Sequence, residues 1–404
     1  MGKKVALLFP PLCFLAFALG DGNYGELFSG FLAILRHPGI LITDYFAIAG
    51  IPATLFNVGL VGCVGWMLFL LAPTITGSHI AALLTLMGFA FFGKNPLNIL
   101  PVILGCALFA WVFRESFRNI LPASLFATSL APVASFLFCH WGFRFELAFL
   151  FGVLGGFLTM AIAQRVATFH SGYNLYNIGF SGGIVGLLLA ALLEGFGFEI
   201  EPTLAWQEDV PPAVPLVLSA GLSSLLLLGV LGNRQVVAHW RSILGFSGRP
   251  PADFFASFPA ATLWNMGMVG LLGVAYVLLV GGSCNGPVLG GILTMVGFAA
   301  CGKHLRNVFP LLSGVYLGTL CSPFEASEPG PLLAALFSSA LAPVAGELGV
   351  LAGVLAGFLH LFVVMSVGVL HGGLNLYNNG FAAGFVAVVV ASLFRYPLFR
   401  KRTG

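Results

Sequence analysis

The chain has 404 residues, of which 59% are hydrophobic and 8% are charged, and its formal net charge is +3. So few charged residues exclude a soluble globular protein, which needs a larger charged surface. Recurring apolar segments of about 16 to 23 residues indicate transmembrane helices, because about 20 helical residues cover the hydrocarbon core of a bilayer. The alternating pattern of a β-barrel does not occur. We therefore predict an all-α polytopic membrane protein.

In chain order, the predicted elements are seven apolar segments in each half of the chain. The first segment follows Lys3 and Lys4 and is similar to a signal peptide. An apolar segment also opens the second half, so we predict a retained helix instead. We place the repeat boundary so that the first membrane repeat spans 1–205 and the second spans 206–404. The segments lie near 5–20, 52–72, 77–93, 96–113, 121–140, 145–167 and 175–193, and then near 214–232, 260–280, 286–302, 307–321, 331–346, 348–370 and 376–394.

Four motifs occur twice in the same order along the chain. Four collinear matches are not expected by chance, so they indicate an internal duplication. The paired motifs are TLFNVGLVG and TLWNMGMVG, TLMGFAFFGK and TMVGFAACGK, LAPVA in both halves, and HSGYNLYNIGF and HGGLNLYNNGF, beginning at residues 54 and 262, 85 and 294, 130 and 341, and 170 and 371.

The charged loops predict that the two copies are inverted relative to each other. Cytoplasmic loops collect Lys and Arg, and equivalent loops of the two halves differ in charge, as inverted copies require. We predict a multi-pass protein of the bacterial inner membrane with both termini cytoplasmic. The compared loops carry Arg114 and Arg118 against Glu325 and Glu328, and Glu194, Glu199, Glu201, Glu208 and Asp209 against Arg395, Arg400, Lys401 and Arg402.

Two neighbouring segments, 77–93 and 96–113, are joined by only two residues before Pro96. They form either two full crossings or one re-entrant hairpin. Both alternatives leave an odd number of crossings in each half, so the predicted inversion does not depend on the choice.

The motif NLYNxGF occurs in both halves and is the strongest local signal of a site. Its carboxamides need hydrogen-bond partners in hydrocarbon, and inverted-repeat transporters often place broken helices at a midplane site. One interpretation is that the motif binds a polar solute. The other is that its asparagines hold helices together. The predicted solute-binding residues are Asn174, Tyr176, Asn177 and Phe180, their counterparts Asn375, Tyr377, Asn378 and Phe381, and the lysines Lys94 and Lys303.

Lys94 and Lys303 each end a GxxxxGK pattern. A phosphate-binding P-loop is rejected, because Asn95 and His304 stand where Ser or Thr is needed and the pattern lies in an apolar helix. A lysine kept only for orientation should survive in one copy, so its presence in both favours a role at the site. The alternative is that the lysines reach the membrane surface.

Other polar residues are weaker candidates. Asn57 and Asn265 are followed by glycines, which favours close helix packing. His170, His371 and His360 are candidates for a proton-coupled role. The seven cysteines show no CxxC spacing, and no hydrolase or metalloprotease motif occurs, so we expect no metal, no cofactor and no enzymatic activity.

The full-length duplication, the stretch NPLNILP at 95–101 and the two NLYNxGF motifs resemble an uncharacterised bacterial family of duplicated membrane proteins, a domain of unknown function. A fainter resemblance is to urea transporters, through NPLNILPVILG at 95–105 and GYNLYNIGFSGGIVGLLLA at 172–190. That second resemblance implies a narrow phenylalanine-lined path for urea beside the asparagines. The second copy departs from it, since His304-Leu305 replaces the Asn-Pro pair.

We therefore expect a channel or facilitative transporter for a small neutral polar solute such as urea or another amide. The alternative is a secondary transporter of a small organic solute coupled to protons or sodium. A membrane-embedded enzyme or scaffold is a third interpretation without a reactive motif to support it. The expected partners are the solute and the lipid bilayer, with no nucleic acid, and the sequence leaves a homo-oligomer open.

Overall fold

The fold is built from helices, and the computed structural model describes residues 2–201 and 203–395. The basic tail residues Arg400, Lys401 and Arg402 lie outside the described residues. The first repeat contains α1 Gly2–Ala6, α2 Phe9–Gly20, α3 Tyr24–Leu35, α4 Tyr45–Phe69, α5 Gly77–Gly88, α6 Pro96–Val112, α7 Leu121–Ala127, α8 Ala131–Cys139, α9 Phe145–Phe169 and α10 Asn177–Gly195. The second contains α11 Ala213–Gly232, α12 Val236–Ile243, α13 Phe254–Ser257, α14 Pro259–Leu279, α15 Gly286–Phe298, α16 Leu305–Leu320, α17 Pro329–Ser338, α18 Ala342–Leu348, α19 Val350–Val367 and α20 Asn378–Arg395.

Within the described residues, 10 helical segments are long and apolar enough to cross a membrane, five from each repeat. In the first repeat these are Gly2–Gly20, α4, α7 with α8, α9 and α10. The second repeat supplies the equivalent five. The predicted all-α polytopic fold with two repeats is thus confirmed.

The helices α5 and α15 are shorter than a span. They have 12 and 13 residues, which corresponds to about 20 Å of helix against about 30 Å of hydrocarbon. Every residue of α15 is buried. The structure therefore favours a re-entrant hairpin over two full crossings in each repeat. Helices α5 and α6 form the first hairpin, and α15 and α16 form the second.

The turn of the first hairpin follows from its sequence. Gly93 has a φ of +95°, which favours glycine. The Asn95 side chain then caps α6 by accepting hydrogen bonds from the backbone N–H groups of Leu97 and Asn98. Pro96 occupies the first turn of that helix, where its missing N–H costs nothing. In the second hairpin His304 occupies the capping position.

The equivalent helices α5 and α15 run antiparallel through the centre of the protein. Their backbones touch at Gly88 and Gly290, where a Cβ added to Gly88 would lie 2.7 Å from the Gly290 carbonyl oxygen. At the other end of the contact, a Cβ on Gly297 would lie 3.1 Å from Cα of Ala81. Equivalent helices that pack antiparallel are what an inverted repeat requires.

One connection differs from the prediction made from the sequence. The connection after the first segment contains α3, which begins at Asn23, whose side chain accepts from the Glu26 backbone N–H. The first segment is a helix, α2, that packs on α4 close to Gly59. In the second repeat α11 packs on α14 in the same way, close to Gly267.

Candidate functional site

A cavity of about 450 Å³ lies between the two repeats, at the centre of the molecule. The antiparallel hairpin helices α5 and α15 form one part of its wall, and the first residues of α10 and α20 form another. Seven pairs of equivalent residues border the cavity: Thr85 and Thr294, Phe89 and Phe298, Phe126 and Phe337, Leu175 and Leu376, Tyr176 and Tyr377, Ile178 and Asn379, and Gly179 and Gly380.

Aromatic rings from the two repeats interleave in the cavity wall. The ring centroid of Phe89 lies 4.3 Å from that of Tyr377, and the rings of Tyr176 and Phe298 are 4.9 Å apart. Phe126 stacks on Phe298 with the centroids separated by 5.4 Å. The polar groups on the wall are therefore hydroxyls and amides set among aromatic faces, a lining typical of small-molecule sites.

The predicted lysines and tyrosines form crossed pairs between the repeats. Lys94 donates from Nζ to the Oη of Tyr377 over 2.7 Å. Lys303 donates to the Oη of Tyr176 and, over 2.8 Å, to the Oγ of Ser339. Both lysines are fully buried, so the interpretation that they reach the membrane surface is wrong.

The first asparagine of each NLYNxGF motif also crosses to the opposite repeat. Asn174 donates from Nδ2 to the Gly380 carbonyl over 3.0 Å, and Asn375 donates to the Gly179 carbonyl over 3.3 Å. The carboxamide oxygens accept from the backbone N–H groups of Tyr176 and Tyr377. These bonds hold the two motifs together where the cavity wall is formed.

The second asparagine of each motif is held within its own repeat. The Oδ1 of Asn177 accepts a hydrogen bond from His170 Nε2 over 3.0 Å, and the Oδ1 of Asn378 accepts from His371 Nε2 at the same distance. Their Nδ2 groups donate to main-chain carbonyls of the preceding helix. Asn177 borders the cavity, but its carboxamide is already engaged. The geometry agrees with the helix-holding interpretation, and a solute contact by these side chains stays a prediction.

Phe180 and Phe381 pack against each other behind the motifs, with ring centroids 5.7 Å apart. They share a small buried cluster with Val166. Of the ten predicted residues, the structure thus brings Tyr176, Tyr377 and Asn177 to the cavity and places the others behind its wall.

The two asparagines for which the sequence favours close helix packing support the hairpins. Asn57 donates to the carbonyls of Ala90 and Lys94 over 2.7 and 2.9 Å. Asn265 makes the equivalent bonds to Ala299 and Lys303 over 2.8 and 2.7 Å. Each asparagine therefore fixes the hairpin tip that carries a buried lysine.

A pair of aspartates that was not predicted from the sequence also crosses between the repeats. Asp253 accepts from the Gly77 backbone N–H over 3.1 Å, at the start of α5. Asp44 accepts from Phe46 and Gln207, and from Gly286 at the start of α15. The signal was the repeated sequence Asp-Tyr-Phe-Ala at 44–47 and Asp-Phe-Phe-Ala at 253–256. Burial raises the pKa of the Asp44 carboxyl to about 6, and the three N–H donors oppose that rise.

The two ends of the cavity are different. One end is bordered by Ser78 and Pro250, which are exposed, and by Ala123, which is half-buried. At the other end the equivalent positions are occupied by Pro287, Leu41 and Ala334. Pro287 is buried, Leu41 is half-buried and Ala334 is fully buried.

The segment that joins the repeats covers the buried end. The backbone N–H of Ile42 donates to the Thr203 carbonyl over 2.6 Å, and that of Asp44 donates to Ala205 over 3.0 Å. Gln207 then donates from its backbone to Asp44 Oδ2. The cavity is thus open at one face and closed at the opposite face in this structure.

Two histidines contact residues of the cavity wall: His170 contacts Asn177, and the second histidine is His360. Its Nε2 lies 3.1 Å from Oδ1 of Asn379, which borders the cavity. The first repeat lacks an equivalent of the His360–Asn379 pair, because Thr159 and Ile178 occupy those positions and Thr159 donates to the Gly155 carbonyl.

Comparison with known proteins places the chain in a family. Neither a curated protein nor a solved structure matches it. The family model described as "Protein of unknown function (DUF1576)" matches residues 23–195 and again residues 232–396, one match in each repeat. The chain therefore belongs to the DUF1576 family, whose domain it contains twice.

Proposed function

We propose that this protein is a facilitative transporter of a small neutral polar solute of the urea or amide kind. The observation that carries the proposal is the central cavity, which equivalent residues of two inverted repeats line and which is open at one end only. In such a protein the repeats can exchange their local conformations, so that the cavity opens to each face in turn.

The cavity lining favours a neutral solute with hydrogen-bonding groups. Because the Tyr377 oxygen accepts from Lys94, its hydroxyl proton is free to be donated to a solute. The Thr85 hydroxyl borders the cavity and, within the described residues, is buried without a hydrogen-bond partner. A buried polar group of this kind is stabilised by a ligand that supplies the missing partner.

The open end faces the cytoplasm in the proposed orientation. Lys3 lies over the Phe255 ring at 4.7 Å, and Lys4 donates to the Leu70 carbonyl at the end of α4. These N-terminal lysines are on the face where α5 begins, beside Ser78. Basic residues collect on the cytoplasmic face, which supports an inner membrane protein whose N-terminus and open end are both cytoplasmic.

The test is solute uptake by proteoliposomes. Stopped-flow light scattering would follow urea, acetamide and glycerol, with and without imposed proton and sodium gradients. We expect saturable uptake without a gradient. Replacing both cavity threonines (Thr85→Val with Thr294→Val) should slow it by about fivefold, the equivalent of about 1 kcal/mol. Thr168→Val, at an exposed site, is the matched control. Uptake of every solute at the rate of empty liposomes would contradict the proposal.

A coupled transporter is the second candidate, and the His360–Asn379 contact favours it. A fully buried imidazole one residue behind the cavity wall can exchange a proton with a solute-occupied cavity. If uptake requires a proton gradient and His360→Gln abolishes it, the protein is a coupled transporter and not a facilitative one.

A further inference from the structure

We infer that the preferred solute is an amide or urea that carries an aromatic ring, with its amide group at Thr85 and its ring against the aromatic side chains of the cavity wall. This inference rests on the proposed function and names the class of solute that the same cavity accepts. Urea and acetamide then fit only the polar part of the site.

The size of the cavity favours a solute larger than urea. Its volume of about 450 Å³ lies within the range of about 300–1,000 Å³ that is typical of sites for drug-sized ligands. A molecule of the size of urea or acetamide would fill only a small part of it. A ring attached to the amide fills more of this space and removes more apolar surface from water.

Six aromatic side chains border the cavity as three equivalent pairs. They are Phe89 and Phe298, Phe126 and Phe337, and Tyr176 and Tyr377. Five of them are buried within the protein, and Phe126 is half-buried. Aromatic rings pack favourably on one another in offset and edge-to-face arrangements. A solute ring in the cavity therefore gains contacts that a methyl group does not.

Most polar groups of the wall, in contrast, already have partners. The two tyrosine hydroxyls bond to Lys94 and Lys303, and the Thr294 hydroxyl donates to the Gly290 carbonyl over 2.8 Å. Among the described residues, the hydroxyl of the equivalent Thr85 is buried without a hydrogen-bond partner. The wall therefore offers a free polar anchor at Thr85, which suits a solute with one polar end.

The free hydroxyl lies beside the aromatic part of the wall. Thr85 and Phe89 are four residues apart, in α5 and in the helical turn that follows it, so they lie on the same side of that element. Phe89 contacts Tyr377 of the opposite repeat, with ring centroids 4.3 Å apart. An amide that bonds to Thr85 therefore places its substituent next to these rings.

Binding to the purified protein in detergent tests the inference independently of transport. Isotope-labelled benzamide would be bound at equilibrium and displaced by unlabelled benzamide, acetamide or urea, with empty micelles as the blank. Benzamide and acetamide share the amide group and differ in a phenyl against a methyl group. We expect benzamide to displace the label at a concentration at least about tenfold lower than acetamide, because burial of the phenyl ring removes more apolar surface from water.

Variants separate the polar part of the site from the aromatic part. Phe126→Leu should weaken benzamide binding about fivefold and leave the affinity for acetamide unchanged, whereas Thr85→Val should weaken both solutes by about fivefold. Phe196→Leu, at a side chain that is 79% exposed outside the cavity, is the matched control. Ala123→Trp fills the open end of the cavity and should abolish benzamide binding. Phe298→Leu replaces Phe126→Leu should that variant not fold.

Three results would overturn the inference. They are absence of benzamide binding, equal displacing concentrations of benzamide and acetamide, and a loss in Phe196→Leu as large as that in Phe126→Leu. The proposed function is tested separately, by uptake of urea and acetamide into proteoliposomes. Tight benzamide binding without uptake of any solute would uphold the assigned class of ligand and contradict the proposed function.

Discussion

Lys94 at the tip of the first hairpin donates a hydrogen bond over 2.7 Å to the hydroxyl of Tyr377, which belongs to the asparagine motif of the second repeat. Lys303 and Tyr176 make the reciprocal contact. Each hairpin is thus fastened to the other repeat's motif, and the cavity lies where the two contacts meet.

Removing one hydroxyl of this pair should destabilise the protein. In Tyr377→Phe the buried Lys94 Nζ loses its hydrogen-bond partner, and we expect a loss of about 1–3 kcal/mol in the free energy of unfolding. Thermal unfolding in detergent would measure it. Tyr276 is the matched control, because its buried hydroxyl has no partner among the described residues, so Tyr276→Phe should change little. Equal effects at the two positions would contradict the importance of the contact.

The asparagines that support the hairpins should matter equally in both repeats. Asn57→Ala and Asn265→Ala each leave two buried carbonyls without their donor. We expect each variant to lose about 2–4 kcal/mol of unfolding free energy, measured as above. Asn119→Ala, at an exposed position, serves as the control. A neutral effect at either buried asparagine would show that the hairpin tip does not depend on it.

The crossing of α5 and α15 predicts opposite signs for two glycine substitutions. A Cβ on Gly290 would lie 2.4 Å from the Gly88 carbonyl oxygen, whereas a Cβ on Gly221 meets nothing within 4 Å. Gly290→Ala should therefore destabilise the protein by about 1–3 kcal/mol. Gly221→Ala should stabilise it slightly, because alanine is the better helix former. A stabilising Gly290→Ala would mean that the helices are not in contact there.

Asp44 predicts a pH dependence of stability. Its carboxyl has a pKa of about 6 in the folded protein against 3.8 for a free carboxyl, so the fold favours its protonated form. This contribution, about 3 kcal/mol, is fully present below about pH 4 and is lost as the pH rises through 6. Unfolding measured from pH 4 to 7 should show the decline. Asp44→Asn should flatten it, while Asp253→Asn should retain it. An unchanged slope in Asp44→Asn would contradict the assignment.

The sequence predicted the architecture well because the signals were local or repeated. Apolar length predicted the helices, and the duplicated motifs with their loop charges predicted two inverted copies. The hairpins stayed ambiguous, because 17 apolar residues at 77–93 are compatible with either a span or a shorter helix and a turn. The short α5 became clear only from its end at Gly88.

The contacts at the site were not predictable in the same way. Lys94 and Tyr377 are 283 residues apart, and nothing in either motif indicates that the pairing crosses to the other copy. The asparagines were expected at the solute, yet Asn174 holds the opposite motif instead. The cavity threonines Thr85 and Thr294 stand in a repeated motif that was recognised, but only the fold shows that their position borders a cavity.

The central claim is that the solute passes through this cavity and that its two ends open in turn. The direct measurement compares single cysteines at two equivalent alanines, Ala123→Cys at the open end and Ala334→Cys at the closed end, after the seven native cysteines are replaced. Thiol labelling from each side of the membrane and urea uptake would be followed together. We predict that Ala123→Cys is labelled from the cytoplasmic side and that labelling blocks uptake. Ala334→Cys should be labelled only from the opposite side, and faster while the transporter is turning over. Full labelling of Ala123→Cys with undiminished uptake would contradict the account.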